Sequence, residues 1–232
     1  MAILPTTNEA TIPRRLTAKG LSEPVQRRFR RVPRGYVLLK RLFDITLCVL
    51  MIPFVLPVLA LCALALWLEN PGPVLFTQLR TGRQGRRFRM YKLRTMVTNA
   101  EELKEQLRHL NELTWPDFKI SDDPRVTRVG RLLRKTSLDE LPQIFNVIKG
   151  DMSLVGPRPT SFGAQTYSLW HTERLDVVAG ITGLWQVSGR SDLDFDDRLR
   201  LDIEYVRRRS LWFDFVLLLR TVSAVLRPKG AY

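Results

Sequence analysis

Ile45 to Leu68 reads ITLCVLMIPFVLPVLALCALALWL, a run without a charged side chain in a chain of 232 residues. As a straight helix it would reach about 36 Å, enough to cross the hydrocarbon core of a bilayer. Two features argue against a plain crossing. Pro53 and Pro57 each remove a backbone donor and crowd the preceding turn, which predicts a kink or break near the middle. Basic residues also crowd both flanks: Arg27, Arg28, Arg30, Arg31, Arg34, Lys40 and Arg41 before the run, and Arg80, Arg83, Arg86, Arg87 and Arg89 after it. The positive-inside rule would hold both ends in the cytoplasm. A helix that enters, breaks at proline and returns to the same face satisfies both observations, provided the freed backbone groups find partners. A true span is the alternative. A buried core helix of a soluble domain ranks third, because apolar runs of about 18 residues or more are usually membranous.

Charge must be explained together with lipid. The balance of 37 basic against 23 acidic residues leaves +14 and implies an anionic partner: nucleic acid, an acidic lipid surface or phosphorylated substrates. Both cysteines, Cys48 and Cys62, fall inside the apolar run without a nearby histidine, which excludes a disulfide framework and a zinc site. His109 and His171 are isolated and read as surface or packing residues. Before about Arg34 the chain mixes Pro, Thr, Arg and polar residues with no apolar period, a flexible basic tail without a signal peptide. Such a tail either attracts anionic headgroups, at about 1 kcal/mol per basic residue near the surface, or is simply solvated.

Beyond the apolar run, Val74 to Gln78 and Arg87 to Leu93 predict two strands around a Gly82 to Gly85 turn, a small β-hairpin. Alternation along MYKLRTM puts Lys92 and Arg94 on one face, either a solvated edge or a grip for a diphosphate. Asn99 to Leu113 fits a polar helix capped by Asn99 or Thr98, a loop follows through Trp115 to Pro124, and Thr127 to Arg134 fits a short basic helix. Toward the end, DLDFDD over Asp192 to Asp197 lacks the glycine and distal glutamate of a calcium loop and reads as a capped helix start. Leu211 to Leu226 carries a broad apolar face, suited to an interfacial helix or to a core helix.

The chemistry concentrates in SLDELPQIFNVIKGDMSLVGPRP, Ser137 to Pro159. Ser137 and Glu140 match a capping box, in which Asp139 merely complements a helix dipole. The other reading is catalytic. An aspartate kept ionised near a helix start can attack phosphorus to give an acyl phosphate, and Glu140 beside it could help hold Mg²⁺, a hard cation that prefers carboxylate and phosphate oxygens. Arg158 stands between Pro157 and Pro159, whose fixed φ angles leave its guanidinium little freedom and suit a bidentate phosphate grip.

KRLFD before the apolar run, YKLRTM, SLDELPQ, GDMSLVGPRP and GITGLWQVSGR, in this order and spacing, resemble the bacterial sugar transferases called polyprenyl-phosphate hexose-1-phosphate transferases, the small monotopic phosphoglycosyl transferases. The resemblance covers roughly Lys40 to the C-terminus and is specific because the motifs are linked, each being weak alone. It implies transfer of a hexose-1-phosphate from a UDP-sugar to undecaprenyl phosphate, with UMP released, as the first membrane step of exopolysaccharide or other surface glycan synthesis. It further implies a re-entrant helix and a ping-pong route through a phosphosugar-aspartyl intermediate. Carried over by position, Asp139 matches the nucleophile and Glu140 its dyad partner, with Mg²⁺ at the pair; Lys92, Arg134 and Arg158 match basic positions around the phosphates, and Pro57 matches the helix-breaking proline. Two departures stand out. Leu56 precedes Pro57 where serine is usual and Pro53 is additional; Val178 and Ala179 precede Gly180 where Arg and Pro are usual, which removes a candidate phosphate contact.

These readings combine into an α+β, helix-dominated monotopic membrane protein with a proline-broken re-entrant N-terminal helix, a small β-hairpin and amphipathic interfacial helices. Its expected parts are a basic tail over 1–39, the membrane helix over 40–69 and a cytoplasmic catalytic domain over 70–232. Expected partners are the UDP-sugar, undecaprenyl phosphate and the lipids of the bacterial inner membrane, with the active site on the cytoplasmic face and a homodimer among the open oligomeric states. Expected site residues are Asp139 and Glu140 for catalysis and metal, Lys92, Arg94, Arg134 and Arg158 for phosphate, and Pro53 and Pro57 for the helix break. The competing class is a basic membrane scaffold or nucleic-acid binder, disfavoured because aromatic residues do not interleave with the arginine runs as a stacking platform requires.

Overall fold

The computed structural model describes residues 33–112, 120–168, 170–188 and 194–226. Most of the expected basic tail, much of the loop through Trp115 and the first residues of DLDFDD lie outside the described residues. Helix α1, Arg34–Glu69, starts ahead of the boundary expected at 40. It runs without interruption through Pro53 and Pro57, so the expected break is not a gap in the helix. Each proline removes one ladder bond, and the turns on either side retain theirs.

One stripe of α1 is buried: Cys48, Val55, Cys62 and Leu66, spaced seven, seven and four residues apart. The stripe packs on two apolar clusters, one built with Phe88, Met90, Ile144 and Val147, the other with Leu93 and Leu133. The opposite face of the helix is bare, with Phe54 76% exposed and Leu61, Leu64 and Leu68 open as well. That exposure rules out the core helix of a soluble domain; by length and composition α1 is long and apolar enough to cross a membrane.

Strands β1, Leu75–Thr81, and β2, Arg87–Leu93, pair antiparallel with Leu75 opposite Leu93 and Thr81 opposite Arg87, as the sequence predicts. Helix α2, Ala100–Gln106, is shorter than expected and gives way to a single 3-10 turn at Arg108–Leu110. It buries no residue, so no apolar face rewards a longer helix. Helices α3, Arg128–Thr136, and α4, Gln143–Lys149, follow, joined by a 3-10 turn at Leu138–Glu140.

Strand β3, Met152–Val155, is wholly buried and pairs in parallel with β4, Ala179–Thr182. Neither was legible in the sequence, since four residues carry too little periodicity. The pairing continues past the strands as a contact of glycines. A Cβ on Gly180 would stand 2.1 Å from the Gly156 nitrogen, so only glycine permits this approach. Helix α5 covers Leu184–Ser188. Helix α6, Phe195–Arg208, starts at Asp194, whose carboxylate accepts from the Asp197 N–H at 2.8 Å, the capped start predicted for DLDFDD. Helix α7, Leu211–Leu226, buries Leu217 while Trp212, Phe215, Leu219 and Val222 stay exposed.

A buried polar knot ties these parts to the foot of α1. Lys40 lies 2.8 Å from Asp44 and 3.1 Å from Asp214 of α7. Asp44 also accepts from the Ser153 hydroxyl at 2.8 Å and from the Leu154 N–H at 3.3 Å, and the Tyr205 hydroxyl sits 2.8 Å from Asp214. The strand that leads to Arg158 is thereby tied to α1.

Candidate active site

Asp139 and Glu140 occupy an elbow between two helices. Ser137 ends α3 in the left-handed conformation, at φ 58°, and Pro142, which has no N–H to give, precedes α4. The capping-box reading fails here. Ser137 makes no side-chain cap and closes one helix instead of opening the next, while α3 is capped by Thr127, whose hydroxyl accepts from the Gly130 N–H at 3.0 Å. Glu140 is therefore free to turn toward cations.

Lys92, at the end of β2, donates to Glu140 at 2.8 Å and stands 3.7 Å from Asp139. Arg158 takes Glu140 in a fork, one nitrogen at 3.0 Å from Oε2 and the other bonded to Oε1. Burial works to raise Glu140, but Arg158 and Lys92 overcome it and hold the carboxyl well below the usual range. Asp139, 7% exposed, goes the other way: burial raises it, Lys92 opposes, and the neighbouring Glu140 charge raises it further. Among the described residues nothing donates a hydrogen bond to the Asp139 carboxylate. Two adjacent carboxylates are thus split into a locked anion and an open one, the division of labour that acid–base and nucleophilic sites use.

Arg134 faces the same elbow from α3. Its Nε donates to the Thr95 hydroxyl at 2.8 Å, and burial lowers its pKa while the Asp139 charge partly restores it. Arg94 does not join the group. It lies one residue beyond β2, where strand alternation no longer governs it, and its guanidinium bonds the carbonyl of Asn70 just past the end of α1. A structural tie replaces the expected phosphate grip.

Next to Arg158 opens a cleft of about 130 Å³ lined by Arg80, Phe162, Arg174, Trp185 and Arg198 among others. Burial lowers Arg80 to about 10, with Arg158 adding repulsion. Arg174 is pinned by Asp202 at 2.6 Å, donates to the Tyr167 hydroxyl at 2.9 Å and bonds the Arg158 carbonyl from behind. Sequence reasoning missed Thr95, Arg174 and Asp202 and read Arg80 only as a flanking charge; no local motif marks them, because distant segments bring them together. Val178 and Ala179 contribute no cation: Ala179 is buried in β4 and the Val178 carbonyl packs on Gly156.

The sequence that builds this site matches one known family. The bacterial sugar transferase model covers residues 35–228. The chain belongs to that family. It is 46% identical over 202 residues to an undecaprenyl-phosphate galactose phosphotransferase of Salmonella typhimurium, covering 84% of this chain and 42% of that protein. An undecaprenyl-phosphate glucose phosphotransferase of Komagataeibacter xylinus is 40% identical, with 83% of this chain and 37% of the relative aligned. The Exopolysaccharide production protein ExoY of Rhizobium meliloti is 36% identical over 83% of this chain and 88% of its own length. The chain thus spans less than half of the first two relatives. The exposed α1 suggests membrane association.

The donor set bears on the expected Mg²⁺. No cluster of three metal-ligating side chains occurs among the described residues. Glu140 has both oxygens engaged by Lys92 and Arg158, which leaves the Asp139 carboxylate as the open ligand of this bacterial sugar transferase. Such a set fits an ion bound by one carboxylate and completed by substrate phosphate oxygens, as Mg²⁺ commonly is.

Proposed function

We propose that the protein transfers a hexose-1-phosphate from a UDP-sugar to undecaprenyl phosphate at the cytoplasmic face of the inner membrane, beginning a surface glycan. The observation that carries this reading is the Asp139 carboxylate, unbonded and 3.7 Å from Lys92, within a rim of cations beside the cleft. Asp139 attacks the β-phosphorus; the bond from that phosphorus to the bridging oxygen breaks and UMP leaves, so that a phosphosugar-aspartyl intermediate remains. An undecaprenyl phosphate oxygen then attacks the same phosphorus, the acyl phosphate bond breaks and the carboxylate is restored. Lys92, Arg134 and Arg158 offset the charge that builds on the phosphoryl oxygens. Mg²⁺, held by Asp139 and the diphosphate, would neutralise further charge. The bare apolar face of α1 and the exposed side of α7 support docking on lipid, with α1 re-entrant given the basic residues at both ends.

The test is UMP release from a panel of UDP-sugars by the detergent-solubilised protein, with and without Mg²⁺ and undecaprenyl phosphate. Release that requires metal and lipid and favours one sugar is expected. No release across the panel would overturn the reading.

A further inference from the structure

Helix α1 holds the outer ends of the two helices that flank the catalytic elbow. At the far end, Glu69 accepts from the first N–H groups of α3: Arg128 at 2.8 Å and Val129 at 3.1 Å and 3.2 Å. At the near end, Arg41 bonds the carbonyl of Val147 and, at 2.6 Å, that of Ile148, in the last turn of α4. Each charge suits the helix end that it meets. A carboxylate satisfies donors at the positive N-terminus of α3, and a guanidinium satisfies acceptors at the negative C-terminus of α4.

Between those two anchors lies one helix–turn–helix, and its turn is Leu138–Glu140. We infer that Arg41 and Glu69 form a clamp through which the membrane helix positions Asp139, a role that rests on the transfer reading above. The elbow is the weakest-laddered part of the clamped unit, because Ser137 closes α3 before Asp139 and only 3-10 bonds, such as Leu141 N–H to the Leu138 carbonyl and Ile144 N–H to the Leu141 carbonyl, carry the chain across Pro142. The lever is compliant too: Pro53 and Pro57 lie between Arg41 and Glu69 and weaken α1 at its middle. A bend of α1 therefore changes the separation of the anchors and is delivered to the elbow, where Lys92 and Arg158 hold Glu140 while Asp139 has only the longer ion pair with Lys92 at 3.7 Å. Arg41 and Glu69 are positioning residues, since neither touches the reacting atoms.

The full chain in lipid nanodiscs tests this with Glu69→Ala, Arg41→Ala and the double variant, alongside Glu69→Gln, which keeps an acceptor oxygen, and Arg41→Lys. Each alanine variant should lower kcat about tenfold while the donor KM stays within about twofold, because geometry and not donor binding is lost. The double variant should fall by less than the product of the two, because a clamp fails once either end opens. Amide exchange should quicken at Arg128 and Val129 in Glu69→Ala and extend to Leu138–Leu141, and Glu69→Gln should reverse both changes. The clamp is overturned if exchange quickens only at the helix ends with kcat intact, or if kcat falls only in proportion to lost folded protein. Should the wild type release no UMP, the transfer reading fails by itself, and exchange at Leu138–Leu141 still decides the clamp.

Discussion

Lys40 and Lys92 each sit between two carboxylates, yet one arrangement is a fastening and the other a site. Around Lys40, both acids are sealed and shared: Asp44 also serves Ser153 and Leu154, and Asp214 also serves Tyr205. Around Lys92, only Glu140 is fully engaged, by the lysine at 2.8 Å and by Arg158; Asp139 stands 3.7 Å from the lysine. The difference is that both acids of the Lys40 knot receive hydrogen bonds and Asp139 receives none among the described residues. A buried carboxylate held by a cation and by hydrogen-bond donors holds the fold, whereas one that receives no hydrogen bond can be recruited by a substrate.

That contrast is most easily broken at Asp139. Asp139→Asn removes the proposed nucleophile while preserving shape, and UMP release should fall about 10⁴-fold or more with membrane association intact; appreciable residual turnover would assign the attack elsewhere. Lys40→Met comes next in size. It leaves Asp44 and Asp214 facing each other without a cation, and denaturant titration should register a loss of about 3–5 kcal/mol. Lys92→Met, by contrast, should cost less, because Arg158 still holds Glu140, and equal losses from the two variants would erase the distinction between fastening and site.

A pH profile sharpens the comparison further. Because burial raises Asp139, the acidic limb of kcat should lie above the ordinary carboxylate range. Lys92 favours the ionised form, so Lys92→Met should move the limb to still higher pH; an unmoved limb would show that Lys92 does not tune the nucleophile. Glu140 has the opposite sign. Its depressed pKa contributes stability that is present above its unfolded value and is lost only as pH falls through the folded one. The smallest effect is expected at Thr95→Val, where Arg134 loses the acceptor for Nε, a change of about 1 kcal/mol that should appear as a few-fold drop in kcat/KM.

Local chemistry explains which parts were legible. The hairpin announced itself through a glycine-bounded turn between two short runs, and α7 through a continuous apolar face. Asp139, Glu140 and Arg158 stood out because charge and proline crowd one short segment. The four-residue strands β3 and β4 had no such signal, nor had Arg174 and Asp202, which meet across 28 residues of chain. Arg94 was misplaced because alternation was extended past the last residue of β2, and Ser137 because a capping pattern cannot reveal that its φ is positive.

By itself, then, the sequence determined the apolar helix, the carboxylate pair and the excess of basic charge, since these depend on residue type and on spacing within a few turns. Only the tertiary structure decided which charges meet. Glu140 rather than Asp139 takes Lys92 and Arg158, Arg94 ties down Asn70, and the two ends of α1 meet the two helices around the dyad. Hydrogen bonds and ion pairs act over about 3 Å, and whether distant residues come that close depends on how the whole chain packs.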